Sequence, residues 1–493
     1  MLTIKNTFVR YLLLITSGFI YTASFSPFDF KIGIFISIFI YFYLISNSSR
    51  KSSILESYIY GLAIFTSGVS WIFNSIYYYG GEHFLFSIMM TLVFIIYMSI
   101  FFIPIGFFIN KKSNLSGIHF PLIAASMWVL MEIIRSSLFG GFPWLLVGTS
   151  QVGTIFDSLY PFMGVYSVSF MVVIVSTVVV SMISSQIKFR VLKIYALFIS
   201  FLFLIINIIP IQSTDSHQPI KVSVIQPNIH LGLKYNESQL ENIKKKYIDI
   251  LENEINNFVV MPETAIPKIY QFDKKFYNDL VNKFNFDFIT GIFNYDQSKD
   301  KVYNSMLMLE NKKEFFYNKR HLVPFGEYTP LENIFSYIAD ILNIPMSSIE
   351  HGKSNQSPIY YRDTIIYPLI CYEIAYSSLI KPKEDKYGLI ITISNDAWFG
   401  DTFAPHQHLQ IAKVRALESS LPIIRAANTG ISAILDKRGV IVDKIELNHS
   451  GYINAEVFPS KGLTPYMYFG DYPILMLIFS IMLFYWKKYK IYG

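Results

Sequence analysis

The sequence predicts an α-helical membrane domain of about eight transmembrane helices joined to an α/β domain. Of the 493 residues, 52% are hydrophobic and only 15% are charged, and the mean hydropathy is +0.39. A soluble enzyme of this length is less apolar, so at least part of the chain is expected in a membrane. Between the apolar spans lies a long segment of ordinary composition in which strand and helix patterns alternate, as is typical of an α/β domain.

Seven apolar spans precede residue 213 and one follows residue 471. A bilayer core about 30 Å thick needs about 20 helical residues, and most of the spans meet that requirement. They cover residues 9–25, 32–47, 57–77, 86–110, 119–138, 160–184, 193–212 and 472–487. The sequence therefore predicts a membrane domain at 1–212, a folded domain at 213–471, and a last helix with a basic tail at 472–493.

The basic residues of the short loops predict how the spans are oriented. Lysine or arginine follows span two and span four, lies between spans six and seven, and closes the chain. Because positively charged loops stay in the cytoplasm, both termini are expected there and the folded domain on the opposite side. These loops also account for the net charge of +6. No block of basic residues indicates nucleic acid as a partner.

The folded domain shows buried strand patterns separated by helical patterns. The strand patterns lie at 221–226, 257–261, 286–291, 365–370, 389–394 and 422–427. The helical patterns lie at 238–255, 274–284, 330–342 and 406–420. Alternation of this kind predicts central sheets covered by helices.

Cys371 is the only cysteine of the chain, so it forms no internal disulfide. It follows the strand pattern at 365–370, and the segment from Glu373 to Ile380 is a candidate helix. A strand-to-helix turn exposes a nucleophile, and the free N–H groups that open a helix stabilise a thiolate or an oxyanion. The alternative is an inert buried thiol, because free cysteine is among the most buried residue types.

Glu263 and Lys319 are the other candidate reactive groups, because each lies in a short segment at or near the end of a strand. A carboxylate, an ammonium and a thiol form a set for acyl transfer. The carboxylate takes the thiol proton, the thiolate attacks a carbonyl, and the ammonium stabilises the oxyanion. A lysine near Cys371 is also expected to lower the thiol pKa from its reference value of about 8.5. As an alternative, both residues are ordinary solvated charges.

Other polar pairs carry weaker signals. His406 and His408 form a His-x-His pair, which alone is weak evidence for a metal. No nucleotide or metal motif accompanies it, so neither a metal nor a cofactor is expected. Glu132 and Arg135, near the outer end of the fifth span, either pair with each other at the interface or border a lipid entrance.

The segments around Glu263, Lys319 and Cys371 resemble the nitrilase superfamily, whose Glu-Lys-Cys triad lies on an α-β-β-α sandwich. Two further segments resemble those that flank its site, Asn395-Asp396-Ala397-Trp398-Phe399 and Arg425-Ala426-Ala427-Asn428-Thr429-Gly430. With spans before and after the domain, the chain resembles the membrane-bound branch, the bacterial apolipoprotein N-acyltransferases. The membrane half agrees at Phe25-Ser26-Pro27-Phe28, Gly68-Val69-Ser70-Trp71, Gly80-Gly81, Glu132-x-x-Arg135 and Gly141-Phe142-Pro143-Trp144.

This resemblance implies a role for each matching residue. It implies Glu263 as general base, Lys319 as oxyanion stabiliser and Cys371 as nucleophile. It implies supporting roles for Glu327, Tyr372 and Glu373.

Two aromatic residues are candidates for substrate binding. Tyr235 stands where the family often has a tryptophan, and tyrosine keeps an aromatic face, so altered lipid or lid contacts are expected. Trp144 follows the Gly-Gly-Phe-Pro run at 140–143. It belongs either to an interfacial aromatic belt or to the lipid pocket.

The resemblance also implies an activity in the bacterial inner membrane. Cys371 would take an acyl chain from a phospholipid, with phosphatidylethanolamine as the expected donor. The α-amine of the S-diacylglyceryl cysteine of an apolipoprotein would then take the chain from the thioester. The protein is expected to be monomeric. A mobile loop is expected to gate the site, with candidates at 231–237, 345–358 and 399–406.

Two other functions are compatible with the same residues. A membrane-anchored amidase of the nitrilase type would release its product to water. A binding or transport protein would use the domain only to sense a ligand. The small number of ionisable groups in the spans weakens the transport hypothesis.

Overall fold

The protein forms two compact units in a computed structural model that describes residues 4, 6–81, 83–111, 118–184, 188–209, 211, 213–324, 326–328, 349–380 and 386–492. The first unit comprises Met1–Ile211, Thr402–Gln410 and Tyr468–Gly493, and the second comprises Gln212–Asp401 and Ile411–Met467. Thr402–Gln410 thus belongs to the first unit, although the sequence assigned it to the folded domain. The domain boundaries remain predictions.

The first unit is built from apolar helices. They are Thr7–Ala23, Gly33–Ser46, Arg50–Val69, Ile72–Asn74, Phe84–Ile100, Ile103–Phe108, His119–Ser137, Tyr160–Ser184, Lys188–Ile208 and Tyr472–Tyr492. Short 3-10 helices at Leu138–Gly140, Val147–Gln151 and Ile155–Leu159 and a π-helix at Ser75–Tyr79 connect some of them. The unit is therefore all-helical, as the sequence predicted.

By length and composition, four of the described stretches can span a membrane. They are Phe84–Phe108, His119–Gly140, Ile155–Ile183 and Phe189–Ile208. Arg50–Val69 and Ile72–Tyr78 form a fifth if the pair, bent by 56°, counts as one span. The shorter apolar helices Thr7–Ala23, Gly33–Ser46 and Tyr472–Trp486 coincide with the first, second and eighth predicted spans. The total of eight spans remains a prediction.

Glu132 and Arg135 are buried and hold the loop that follows their helix. The Glu132 carboxylate accepts the backbone N–H of Val147 at 2.8 Å. The Arg135 guanidinium donates to the carbonyls of Phe142 and Trp144, each at 2.7 Å. Both charges therefore have a structural role in ordering this loop. Whether they also border a lipid entrance stays a prediction.

The second unit contains two β-sheets. Its strands are β1 Thr214–Asp215, β2 Ile220–Gln226, β3 Phe258–Val260, β4 Asp287–Asp296, β5 Lys301–Glu310, β6 Lys313–Asn318, β7 Ile359–Tyr361, β8 Thr364–Ile370, β9 Gly388–Ser394, β10 Ile423–Ala427, β11 Ser432–Leu435, β12 Ile441–Ile445, β13 Gly451–Val457 and β14 Ser460–Lys461. One sheet has the order β13-β2-β3-β4-β5-β6. The other has the order β7-β8-β9-β10-β11-β12, with β14 also paired to β9 and β1 paired to β14. The strands β2-β3-β4 and β8-β9-β10 run parallel within their sheets.

The two sheets pack face to face around an apolar core that includes Val224, Ile289, Ile370 and Ile391. Helices Leu240–Leu251 and Tyr270–Phe284 cover the outer face of the six-stranded sheet. The connection from β9 to the parallel β10 contains helix Ala404–Ser419. A right-handed crossover places the part of this helix after Ile411 on the outer face of the other sheet. The unit is therefore an α-β-β-α sandwich, which confirms the predicted fold class.

All six predicted strands are present, with ends that differ by up to five residues. The expected helix after Cys371 is wrong, because two short 3-10 helices replace it, Cys371–Ala375 and Ser377–Leu379. Tyr376 between them has extended backbone, with φ −109° and ψ 99°, which interrupts the helical turn. The predicted helix at 330–342 lies outside the described residues, as does part of the candidate gate at 345–358.

Candidate active site

Glu263 lies three residues beyond the end of β3 and is buried. Its carboxylate accepts hydrogen bonds from the Asn304 amide at 2.8 Å and from the Lys319 ammonium at 3.4 Å. Gly291 in β4 lies directly against it, because a Cβ there would be 2.5 Å from the Glu263 Cα. A strand of the same sheet therefore fixes the backbone that carries the expected base.

Lys319 is the first residue after β6 and is almost completely buried, with 1% exposure. Its ammonium lies 2.8 Å from one oxygen of Glu327 and 3.0 Å from the other. The Asn304 amide also donates to Glu327 at 2.8 Å, so it bridges the two carboxylates. Glu327, expected as a supporting residue, thus orients Lys319 together with Glu263.

Cys371 is the first residue after β8 and has a left-handed backbone conformation, with φ +53°. The residue keeps partial exposure, which leaves it accessible to a substrate. The Ser394 hydroxyl lies 3.5 Å from its sulfur. The charges of Glu263 and Lys319 both act on the thiol, so the structure brings the three predicted groups together around one point.

The electrostatics of the site correct one expectation. Desolvation and the negative charge of Glu263 raise the pKa of the Cys371 thiol, and the opposing effect of Lys319 is smaller. The thiol pKa therefore lies above its ordinary value rather than below it, because burial outweighs the lysine. Burial also lowers the pKa of Lys319, but Glu327 and Glu263 outweigh it and raise the pKa overall. At neutral pH the site thus holds a neutral thiol and a charged ammonium.

Glu373 is completely buried and links the segment that carries Cys371 to the segment that carries Lys319. Its carboxylate accepts the Tyr317 hydroxyl at 2.9 Å and the backbone N–H groups of Ile370, Arg320 and His321 at 2.8, 2.7 and 3.1 Å. Ile370 precedes Cys371, and Arg320 follows Lys319. One carboxylate therefore fixes the relative positions of two of the three reactive groups.

The predicted aromatic residues have different environments. The Tyr372 ring is buried and lies 5.9 Å from the His321 ring and 5.3 Å from the Tyr376 ring, measured between centroids. Tyr235 is 47% exposed, and its side chain lies beside Thr264 and Glu263. Both are thus near the triad, while a role in substrate binding remains a prediction for Tyr235.

Trp144 belongs to the first unit and is buried, with 1% exposure. Its indole N–H donates to the Gln407 side chain at 2.6 Å, and its ring centroid lies 5.5 Å from that of Trp71. These contacts show a packed residue of the helical unit. Its contact with lipid remains a prediction.

Sequence reasoning missed three polar residues of the site. Asn304 bridges the carboxylates, and the Lys234 ammonium donates to the backbone carbonyl of Glu263 at 3.0 Å. Ser394 connects Cys371 to Asp396, whose Oδ1 it approaches to 2.5 Å. Buried polar residues inside apolar stretches were the available signal. Among the described residues, no group of three or more His, Cys, Asp and Glu side chains is arranged to hold a metal ion.

Two family models match this chain. Residues 221–461 match the model described as Carbon-nitrogen hydrolase, and residues 17–178 match the model described as Apolipoprotein N-acyltransferase N-terminal domain. The fold and the matches define the class as a membrane-associated acyltransferase with a carbon-nitrogen hydrolase domain.

Curated relatives match over nearly the full length. The Apolipoprotein N-acyltransferase of Pasteurella multocida is 31% identical over 97% of this chain and 95% of its own. That of Haemophilus influenzae is 30% identical over 100% of this chain and 98% of its own. The chain therefore belongs to the apolipoprotein N-acyltransferase family.

Solved structures of carbon-nitrogen hydrolases are similar to part of the chain. A CN-hydrolase superfamily protein from Xanthomonas campestris has a TM-score of 0.38 and 14% identity, over 49% of this chain and 91% of its own. A nitrilase superfamily member from Saccharomyces cerevisiae has a TM-score of 0.36 and 20% identity, with the same coverage.

Proposed function

We propose that this protein transfers an acyl chain from a phospholipid to the α-amine of the S-diacylglyceryl cysteine of apolipoproteins. The relatives that match the whole chain carry the name of this activity. The observation that carries the proposal is the cluster of Glu263 and Lys319 acting on the thiol of Cys371. A lipid donor also accounts for the apolar helices, since a soluble substrate needs no membrane unit.

In the first half-reaction Glu263 accepts the proton of the Cys371 thiol, and the sulfur attacks the ester carbonyl of the phospholipid. A base is required because the thiol pKa is raised. The Lys319 ammonium stabilises the oxyanion of the tetrahedral intermediate. The C–O bond then breaks, the lysophospholipid oxygen takes the proton from Glu263, and a thioester remains on Cys371.

In the second half-reaction the neutral α-amine of the apolipoprotein attacks the thioester carbonyl. Glu263 accepts the amine proton, the C–S bond breaks, and the proton passes to the departing sulfur. The amide product leaves and the thiol is restored. This ping-pong order requires that the thioester survive until the amine arrives, so water must be excluded from it.

Phosphatidylethanolamine is the proposed donor, and the protein is proposed to act as a monomer. Its proposed location is the bacterial inner membrane, with both termini in the cytoplasm. The second unit then lies on the periplasmic side, where the loop charges favour it.

The test is intact mass spectrometry of the detergent-purified protein after incubation with phosphatidylethanolamine. We expect a mass increase of one acyl chain that hydroxylamine removes, and no increase in the Cys371→Ala variant. A synthetic diacylglyceryl-cysteine peptide should then discharge the adduct and gain the chain as an amide. The absence of any adduct on a folded protein with reduced Cys371 would reject the mechanism. Discharge to water at the same rate without the peptide would favour the amidase.

A further inference from the structure

Lys234 is a completely buried lysine close to the reactive groups. It ends the short helix Leu231–Lys234, and its exposure is 0%. The ammonium donates to the backbone carbonyl of Glu263 at 3.0 Å. Its charge also interacts with the Glu263 carboxylate and the Cys371 thiol. A buried ammonium is costly unless nearby negative charge compensates it, so this location points to a function.

Two carboxylates beside Cys371 share one closely paired ammonium. Glu263 and Glu327 carry two negative charges, and both contact the single ammonium of Lys319. The neighbouring Asp396 is paired with the buried Arg425 at 2.6 Å. Lys234 therefore supplies the second positive charge for the pair of carboxylates.

We propose that Lys234 is a positioning residue that holds Glu263 in place and favours the thiolate form of Cys371. The inference rests on the proposed function insofar as Glu263 is the base. The ammonium bonds the backbone of the residue whose carboxylate receives the thiol proton, so it fixes the position of that carboxylate relative to the sulfur. The same charge favours the thiolate of Cys371.

The surroundings of Lys234 also shift its own pKa. Burial lowers the pKa of Lys234 to about 8, while Glu263 and Cys371 act in the opposite direction. The ammonium is therefore mostly charged at neutral pH and loses its charge as the pH rises through that value. The charged and titratable groups that face Glu263 or Cys371 are Lys234, Tyr235, Lys319, Glu327 and Asp396.

The experiment measures the reactivity of Cys371 with iodoacetamide in the full-length protein. Because the chain contains one cysteine, the mass increase that is absent from a Cys371→Ala control reports alkylation of this thiol. The rate is measured between about pH 6 and pH 10, the range in which thiols and lysines titrate. No lipid is needed, so failure of this inference is distinguishable from failure of the proposed acyl transfer.

The informative variant is Lys234→Gln, which retains a donor for the Glu263 carbonyl but removes the charge. We expect about tenfold slower alkylation at neutral pH, with a difference from the wild type that narrows above about pH 8, where the wild-type Lys234 loses its charge. Lys234→Met should slow alkylation equally, and Lys234→Arg should restore part of the wild-type rate at neutral pH. The matched control is Lys246→Met, because Lys246 also donates to a backbone carbonyl, that of Asn228 at 3.2 Å. It should leave the profile unchanged.

Two results would overturn the proposal. One is a Lys234→Gln rate that equals the wild-type rate, or is lower by the same factor, at every pH of the range. The other is a profile identical to that of the denatured wild-type chain, because Lys234 would then maintain the fold rather than the charge of the site.

Discussion

At the scale of single residues, Cys371 has a strained backbone conformation that its neighbours stabilise. Cys371 has φ +53°, a conformation that costs a non-glycine residue roughly 1–2 kcal/mol. The residue before it, Ile370, donates its N–H to the Glu373 carboxylate at 2.8 Å. Glu373 thus anchors the turn that directs the thiol toward the site.

Replacing Glu373 with glutamine should destabilise the protein and slow thioester formation. The carboxylate accepts four hydrogen bonds, and an amide places an N–H group against at least one of those donors. We expect a loss of about 2–3 kcal/mol in the free energy of unfolding, because buried donors lose their partners. Thermal melting of the protein in detergent measures this loss of stability. Glu314→Gln on β6, where Glu314 is partly exposed beside Lys274, is the control and should melt like the wild type.

The sequence was sufficient to select three residues that the structure brings together, but not to predict their environment. Glu263, Lys319 and Cys371 lie in short motifs at strand ends. Side chains at the ends of parallel or adjacent strands lie at the same edge of a sheet. Asn304 and Lys234 lie in no such motif, and their partners are 41 and 29 residues away. Their roles depend on the tertiary packing. The thiol pKa was mispredicted for the same reason, since burial is a property of the fold.

At the scale of elements, the sequence predicted the parallel strands better than the hairpins. The strands β3, β8 and β9 are mostly apolar runs, which are easily identified. The β5–β6 hairpin was missed because its turn is Asn311-Lys312, with φ +48° and +66°. A turn with two positive φ values is usually marked by glycine, and none is present here.

Gly291→Ala tests whether β4 positions Glu263. The new Cβ would lie 2.4 Å from the Thr264 nitrogen and 2.5 Å from the Glu263 Cα, so the segment must move. Overpacking of this kind lowers the free energy of unfolding by about 1–3 kcal/mol. We expect a lower melting temperature and at least tenfold slower thioester formation, since small displacements of a catalytic group are costly.

The matched control for this variant is Gly451→Ala in β13, where a Cβ would meet no atom within 4 Å. It should retain both stability and the rate of thioester formation. Equal behaviour of the two alanine variants would show that close contact with β4 does not hold Glu263.

At the scale of the whole molecule, composition and span length predicted a helical membrane part and a folded α/β part. Both are present, as the apolar helices and the two sheets show. The number of spans is harder to predict, because helices Thr7–Ala23 and Gly33–Ser46 have 17 or fewer residues and one candidate span is bent by 56°. Hydropathy detects apolar length, whereas a bend depends on local backbone geometry.

The orientation of the chain is the prediction that belongs to this scale. Because loops rich in lysine and arginine remain in the cytoplasm, residue 493 should lie inside the cell and the second unit outside the inner membrane. In a Cys371→Ala background, Lys245→Cys places a thiol on an exposed position of helix Leu240–Leu251, and Gly493→Cys places one at the C-terminus. A membrane-impermeant maleimide should label Lys245→Cys in spheroplasts and Gly493→Cys only in inverted vesicles. Labelling of both positions from one side would contradict an odd number of membrane crossings between them. It would also contradict the proposal that the lipid donor reaches the Cys371 thiol on the periplasmic side.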